Sequence, residues 1–220
     1  MAGILFIISA PSGSGKSTLV AQLRTLVEGL DFSISYTTRA PRGSEEDGRE
    51  YHFTQRGSFE RMIADDEFLE WAEVFGNYYG TALSALEHAR RQGKDLLLDI
   101  DVQGAVQVMR KLPEAVSIFI LPPSPEVLEM RLRNRSEAEH MTSEAVIATR
   151  LSQARHELER IGEYKYALVN DVLDQAVGEM RAIMLAERGV ADGVRELAAS
   201  CRTDALSPRL RAALESFHVS

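Results

Sequence analysis

The chain has 220 residues, 45% apolar and 26% charged, which suits one sizeable domain built around a real core. A formal net charge of −8 argues against non-specific binding to nucleic acid or to an acidic membrane surface, so any nucleotide must be met by a local cluster of basic groups. Cys201 is the single cysteine, which leaves no internal disulfide framework and no cysteine-rich metal site and fits a reducing cytoplasm.

Residues 4–8, ILFII, read as a fully buried parallel strand that ends in turn chemistry. The run is too short to span a membrane, and no basic stretch precedes it as in a signal peptide. Residues 16–28 have helical spacing, with Leu19, Leu23 and Leu26 on one stripe. Residues 32–56 are rich in Thr, Ser, Tyr and Arg and predict short strands and loops. Helices are predicted near 58–66 and 82–92, on either side of EFLEWAEVFGNYYGT. Strands follow at 95–101 and 115–121, then a helix opening after the prolines of PPSP and a long polar helix over 143–161. A fourth strand at 166–171 and a helix at 174–189 close the pattern, and the remainder reads as a short linker plus one amphipathic helix. Strands alternating with helices predict an α/β fold with a parallel sheet, interrupted by candidate insertions at 33–81 and 124–160.

Immediately after the first strand stands APSGSGKST, residues 10–18. The phosphate-loop pattern is G-x-x-x-x-G-K-[ST], and Ala10 occupies its first glycine position. Gly13 and Gly15 still permit backbone N–H groups to converge on a phosphate, and the following helix turns its positive N-terminus to the same anion. Lys16 can reach the outer phosphates, and the Ser17 hydroxyl can ligate Mg²⁺. A Gly/Ser-rich turn carrying a surface lysine is the plain alternative, opposed by the order strand, loop, Gly-Lys-Ser-Thr, helix. A phosphate loop alone leaves GTPase, ATPase, kinase and transport motor open.

Arg39 and Arg42, three apart with Tyr51 downstream, suit a second phosphate that guanidinium pairs can hold bidentately. A solvated charged loop is the competing account. Glu70, Tyr79 and Thr81 follow in FLEWAEVFGNYYGT. A carboxylate accepts from guanine N1–H and N2–H₂, and hydroxyls such as Ser35 and Thr81 can donate to O6, whereas adenine has the opposite pattern on that edge. Spacing alone leaves Glu70 readable as a surface residue.

SAPSGSGKSTL, SISYTTRAPR…E..G..Y.F, FLEWAEVFGNYYGT and LLLDIDVQGA occur in this order, and together they resemble guanylate kinase from about residue 4 to residue 187. The resemblance implies a P-loop nucleoside-monophosphate kinase fold: a parallel sheet core flanked by helices, an inserted GMP-binding lobe and a helical lid. It divides the chain into one domain over 1–190 (core 1–32, 82–123 and 161–190; lobe 33–81; lid 124–160) and a tail over 191–220. It implies transfer of the γ-phosphoryl of MgATP to GMP, and to dGMP, in the cytoplasm. Ser35, Glu70, Thr81 and Asp101 would read the base, and Arg39, Arg42, Tyr51 and Tyr79, beside Gly80, would hold the GMP phosphate. Ala10, Pro11, Ser12, Gly13, Ser14, Gly15, Lys16, Ser17 and Thr18 would hold ATP, with Asn170 near adenine. Asp99, a strand-end acid, would share Mg²⁺ with Ser17. Lys16, Arg39, Arg42 and the lid arginines Arg135 and Arg150 would serve catalysis, while Arg133 and Arg155 are expected to pair with glutamates.

The chain departs from the family at Ser44, Ala82 and Ser136, none of which removes a charge from this chemistry. Two other readings stay open: a non-catalytic guanylate-kinase-like module that binds a phosphopeptide, and a P-loop kinase for another small phosphorylated substrate. Lys16 and Ser17 weigh against the first, and the combination of Ser35, Glu70 and Thr81 against the second.

Overall fold

A computed structural model describes residues 3–74, 76–138, 143–190 and 193–218; for residues 135–138 and His218 it describes the backbone alone. Among these residues the strands are β1 (Leu5–Ser9), β2 (Leu30–Phe32), β3 (Tyr36–Thr37), β4 (His52–Phe53), β5 (Phe68–Val74), β6 (Asn77–Ala82), β7 (Asp95–Asp99), β8 (Val116–Leu121) and β9 (Tyr166–Val169). The architecture is α/β. One sheet has the order β2-β7-β1-β8-β9, with β2–β7 and β8–β9 parallel; the second has the order β4-β3-β6-β5. All five residues of β1 and all six of β8 are buried, which is why both are apolar on both faces apart from the buried Ser9 and Ser117.

The chain forms two compact units. The first comprises residues 1–7 and 29–115. Its helices are α2 (Arg56–Ala64), α3 (Leu83–Gln92) and α4 (Val102–Lys111). The segment EFLEWAEVFGNYYGT folds into the antiparallel pair β5–β6, with a register shift between Phe68 and Glu70. Phe59 stacks on Phe68 at 4.4 Å and on Tyr78 at 5.3 Å between ring centroids, so α2 is pinned to this hairpin by aromatic packing. The strand expected over 95–101 stops at Asp99, because Asp101 is the N-cap of α4: its Oδ1 accepts from the Gly104 N–H at 2.8 Å. The short strand β2 was not anticipated. Three residues with Asp31 in the middle carry no period, and only pairing with β7 makes them a strand.

The second unit comprises residues 8–28 and 116–220. Numbering helices in chain order, it contains α1 (Lys16–Leu26), α5 (Pro125–Ala138), α6 (Glu144–Leu158), α7 (Leu173–Glu187), α8 (Arg195–Ala199) and α9 (Pro208–His218). The long polar helix is shorter than the expected 143–161, and a single 3₁₀ turn, Ile161–Glu163, follows it. The tail holds two helices rather than one, since five-residue α8 is too short to show a period. The Ala167 N–H donates to Cys201 O at 2.7 Å, Tyr166 and Arg202 form an antiparallel bridge, and α9 buries Leu210, Ala213 and Phe217.

Candidate active site

In the second unit the turn after β1 is built by two glycines in the left-handed region, Gly13 at φ 90° and Gly15 at φ 82°. Ala10 and Pro11 are buried, Ser12 is half-buried, and the Ser14 N–H closes the turn on Pro11 O at 3.1 Å. Gly15 is the N-cap of α1, so Lys16 is the first helical residue, followed by the exposed Ser17 and Thr18. The first N–H groups of a helix have no acceptor within it and direct a positive end outward. A side chain on Gly13 would press on Leu128 and Leu132 of α5 at 3.0–3.1 Å, and one on Gly15 would strike Asn170 Nδ2. The loop is therefore packed against its surroundings. Asn170, buried, donates from Nδ2 to Ser14 O at 2.8 Å, and Arg131 donates from Nη1 to the same oxygen at 3.3 Å and from Nη2 to Asn170 O at 3.1 Å. Among the described residues, the hydroxyls of Ser9 and Ser14 are buried with no hydrogen-bond partner, a costly arrangement for groups that no ligand would meet.

Arg150 is buried on α6, and Arg133 is ion-paired with Glu129 at 2.7 Å and Glu144 at 2.6 Å, as the sequence leads one to expect. Arg135 lies on α5 with its side chain outside the described residues, as does that of Ser136. Arg131, also on α5, reaches the loop after β1, a contact that periodicity could not reveal.

In the first unit the structure gathers Arg39, Tyr51, Tyr79 and Asp99. The Arg39 guanidinium lies over the Tyr51 ring at 5.4 Å, and Tyr51 meets Tyr79 edge-on at 5.9 Å. Burial and the nearby Asp99 carboxylate push the Tyr51 phenol above its usual range. Arg39 is held by Glu45, the acid of the E..G..Y.F stretch to which the sequence assigned no role: Glu45 accepts from Arg39 Nη2 with both oxygens at 2.9 Å and from the Arg42 N–H at 2.8 Å. Its spacing, three after Arg42 and six after Arg39, was the available clue. Arg42 itself is exposed, and Ser35 is half-buried.

Glu70 is 3% exposed, so it is not the surface residue that spacing allowed. It pairs with Thr81 across β5–β6. Burial pushes its carboxyl up to about 7; Thr81 and Lys111 pull it down, and the Asp101 carboxylate adds to the rise. Among the described residues, Thr81 Oγ1 and Ser33 Oγ are buried without a hydrogen-bond partner. Two glycines make room for this arrangement. A side chain on Gly80 would sit 3.0 Å from Glu70 O and 2.9–3.0 Å from the Phe68 and Phe59 rings, and one on Gly104 would collide with Glu70 Oε2. Gly104→Ala is therefore expected to lower the urea-unfolding free energy by about 1–3 kcal/mol, despite alanine's higher helix propensity, because the carboxyl must move. A variant at least as stable as the parent would show that Glu70 is not held in place by this contact.

Among the described residues no group of three or more His, Cys, Asp or Glu is placed to hold a metal ion, and no helix is long and apolar enough to cross a membrane.

The comparisons agree with these two halves. A family model described as Guanylate kinase matches residues 3–187. Guanylate kinase of Koribacter versatilis is 60% identical over 188 residues, covering 86% of this chain and 80% of that protein. Guanylate kinase of Nitrosospira multiformis is 51% identical over 186 residues, covering 84% and 87%. The crystal structure of guanylate kinase from Anaplasma phagocytophilum superposes with a TM-score of 0.69 at 34% identity, covering 90% of this chain and 95% of that one. A phosphate loop braced by Asn170 and a buried acid beside Thr81 thus stand in a chain that belongs to the guanylate kinase family, the ATP:GMP phosphotransferases with the α/β P-loop kinase fold.

Proposed function

We propose that this protein transfers the γ-phosphoryl group of MgATP to GMP, and also to dGMP, giving the nucleoside diphosphate and ADP in the cytoplasm. The observation that carries the reading is Glu70: a buried acid beside Thr81 and Asp101 has no structural use that an apolar residue would not serve better, and its ionised form accepts from two adjacent donors. Guanine N1–H and N2–H₂ are such a pair. Ser35, Thr81 and Asp101 complete base recognition; Arg39, Arg42, Tyr51 and Tyr79, with Gly80, take the GMP phosphate.

ATP binds the loop from Ala10 to Thr18, with Asn170 bordering it. A GMP phosphate oxygen attacks the γ-phosphorus in line; the new P–O bond forms as the bond to the β-phosphate oxygen breaks, and ADP leaves with that electron pair. The attacking phosphate is largely ionised near neutral pH, so no general base is required. Lys16, Arg39, Arg42, Arg135 and Arg150 stabilise the charge spread over the transferring group, the last two arriving as the lid over 124–160 closes. When bound with ATP, Mg²⁺ would supply charge neutralisation on the phosphates. Ser17 and Asp99 would hold it through the hard oxygen donors that suit this cation.

The test is ADP release in a coupled assay with GMP, dGMP, AMP and UMP. GMP should be fastest, dGMP measurable, and AMP and UMP slower by at least about 100-fold, since each unmatched buried polar group costs about 1–3 kcal/mol. Faster turnover with AMP or UMP would overturn the reading of the base.

A further inference from the structure

The family match ends at residue 187, yet the segment beyond it is built into the second unit. Its most consequential contact is made by Arg209, in the first turn of α9. Arg209 Nη1 donates to Glu179 Oε1 of α7 at 2.5 Å, and Nη2 donates to Val169 O at 2.9 Å. Glu179 is itself buried and also accepts from Gln175 Nε2 at 2.9 Å.

Val169 is the last residue of β9, and its carbonyl shares a rigid peptide plane with the Asn170 N–H. That N–H donates to Leu121 O at 2.8 Å. The Val169–Asn170 peptide is thus gripped at both ends, by Arg209 on its oxygen and by β8 on its nitrogen. From this plane projects the Asn170 side chain that holds Ser14 O. A turn with two residues in the left-handed region gains most from such bracing, since it has no ladder of its own.

We propose that Arg209 is a positioning residue for ATP: it clamps the Val169–Asn170 peptide and so keeps the phosphate loop in binding geometry. The proposal rests on the reading of that loop as the ATP site.

The experiment compares Arg209→Met, Arg209→Lys and the double variant Arg209→Met/Glu179→Gln in the full chain. Arg209→Met leaves a buried carboxylate without its cation and so destabilises the fold; the added Glu179→Gln relieves that penalty without restoring the bond to Val169 O. In the double variant the melting temperature should return toward the parent's, while KM for ATP stays raised by roughly 3–10-fold, the effect of one net hydrogen bond, and KM for GMP stays within about twofold. Arg209→Lys, keeping one donor, should fall between. Amide exchange over residues 11–17 should be faster in the double variant at equal global stability. Parent-like exchange there, or a KM for ATP that recovers together with stability, overturns the proposal. Were the unaltered protein to lack ATP-dependent phosphorylation of GMP, the proposed activity would fall, and the exchange comparison would still decide whether Arg209 orders the loop.

Discussion

Lys16→Met is expected to lower kcat by at least about 10²–10³-fold while the melting temperature moves by no more than a few degrees. Lys16 is the first residue of α1 and half-buried, directly after two left-handed glycines. It enters the helix where the macrodipole is positive, so its ammonium adds to a field already aimed at an anion. Phosphoryl transfer asks the protein for little covalent chemistry, so a single misplaced or missing charge acts on nearly the whole barrier. Methionine matches the length of most of the side chain and keeps its packing along the helix, which separates charge from structure. The check is a coupled ADP-release assay beside a thermal melt. A variant keeping more than a tenth of parental kcat would remove Lys16 from the chemistry.

Glu70→Gln should raise KM for GMP by about 10²-fold and change the pH response of both binding and stability. The amide can accept at only one atom and presents donors where the carboxylate presents none, so one guanine donor meets another donor and both lose their hydrogen bond. With the carboxyl raised to about 7, the ionised fraction drops about fivefold between pH 7 and pH 6. KM for GMP in the parent should rise by about that factor over the interval. The Gln variant should show only the titration that GMP itself contributes.

Stability runs in the opposite sense. The folded carboxyl binds its proton more tightly than the unfolded one, whose pKa is near 4.5, so its favourable contribution is complete below about pH 4.5 and is lost as pH rises through about 7. Glu70→Gln removes that loss, and the variant should gain on the parent by on the order of 3 kcal/mol between pH 4.5 and pH 8 in denaturant titrations of the ligand-free protein. Equal pH profiles for the two proteins would mean that the Glu70 carboxyl titrates alike in the folded and unfolded chain, which would overturn the raised pKa of the buried acid.

Much of the fold was legible because it depends on near neighbours in the chain. The buried strands β1, β7 and β8 are built on short apolar runs, and APSGSGKST is a contiguous stretch whose glycines shape a local turn before the helix that begins at Lys16. Glu70 shows where that legibility ends. Its position in FLEWAEVF admitted a surface residue, and no local feature distinguished it; its burial exists because β5 pairs with β6 and because Gly80 and Gly104 leave space around it. Glu45 stands in the E..G..Y.F stretch, yet its role was not legible for the same reason. Its bonds to Arg39 and Arg42 arise only when the loop folds back on itself.

By itself the sequence determined the α/β alternation, the glycine-rich turn before α1 and the identity of the charged and hydroxyl groups in the candidate site, since these rest on periodicity, backbone freedom and side-chain chemistry. The tertiary structure alone decided that Glu70 is buried where desolvation raises its pKa, that Asn170 and Arg131 share the Ser14 carbonyl, and that Arg209, from a tail with no motif of its own, reaches the last peptide of β9. Each of these joins residues far apart in the chain, and desolvation and hydrogen-bond partnership are properties of that surrounding rather than of the residue.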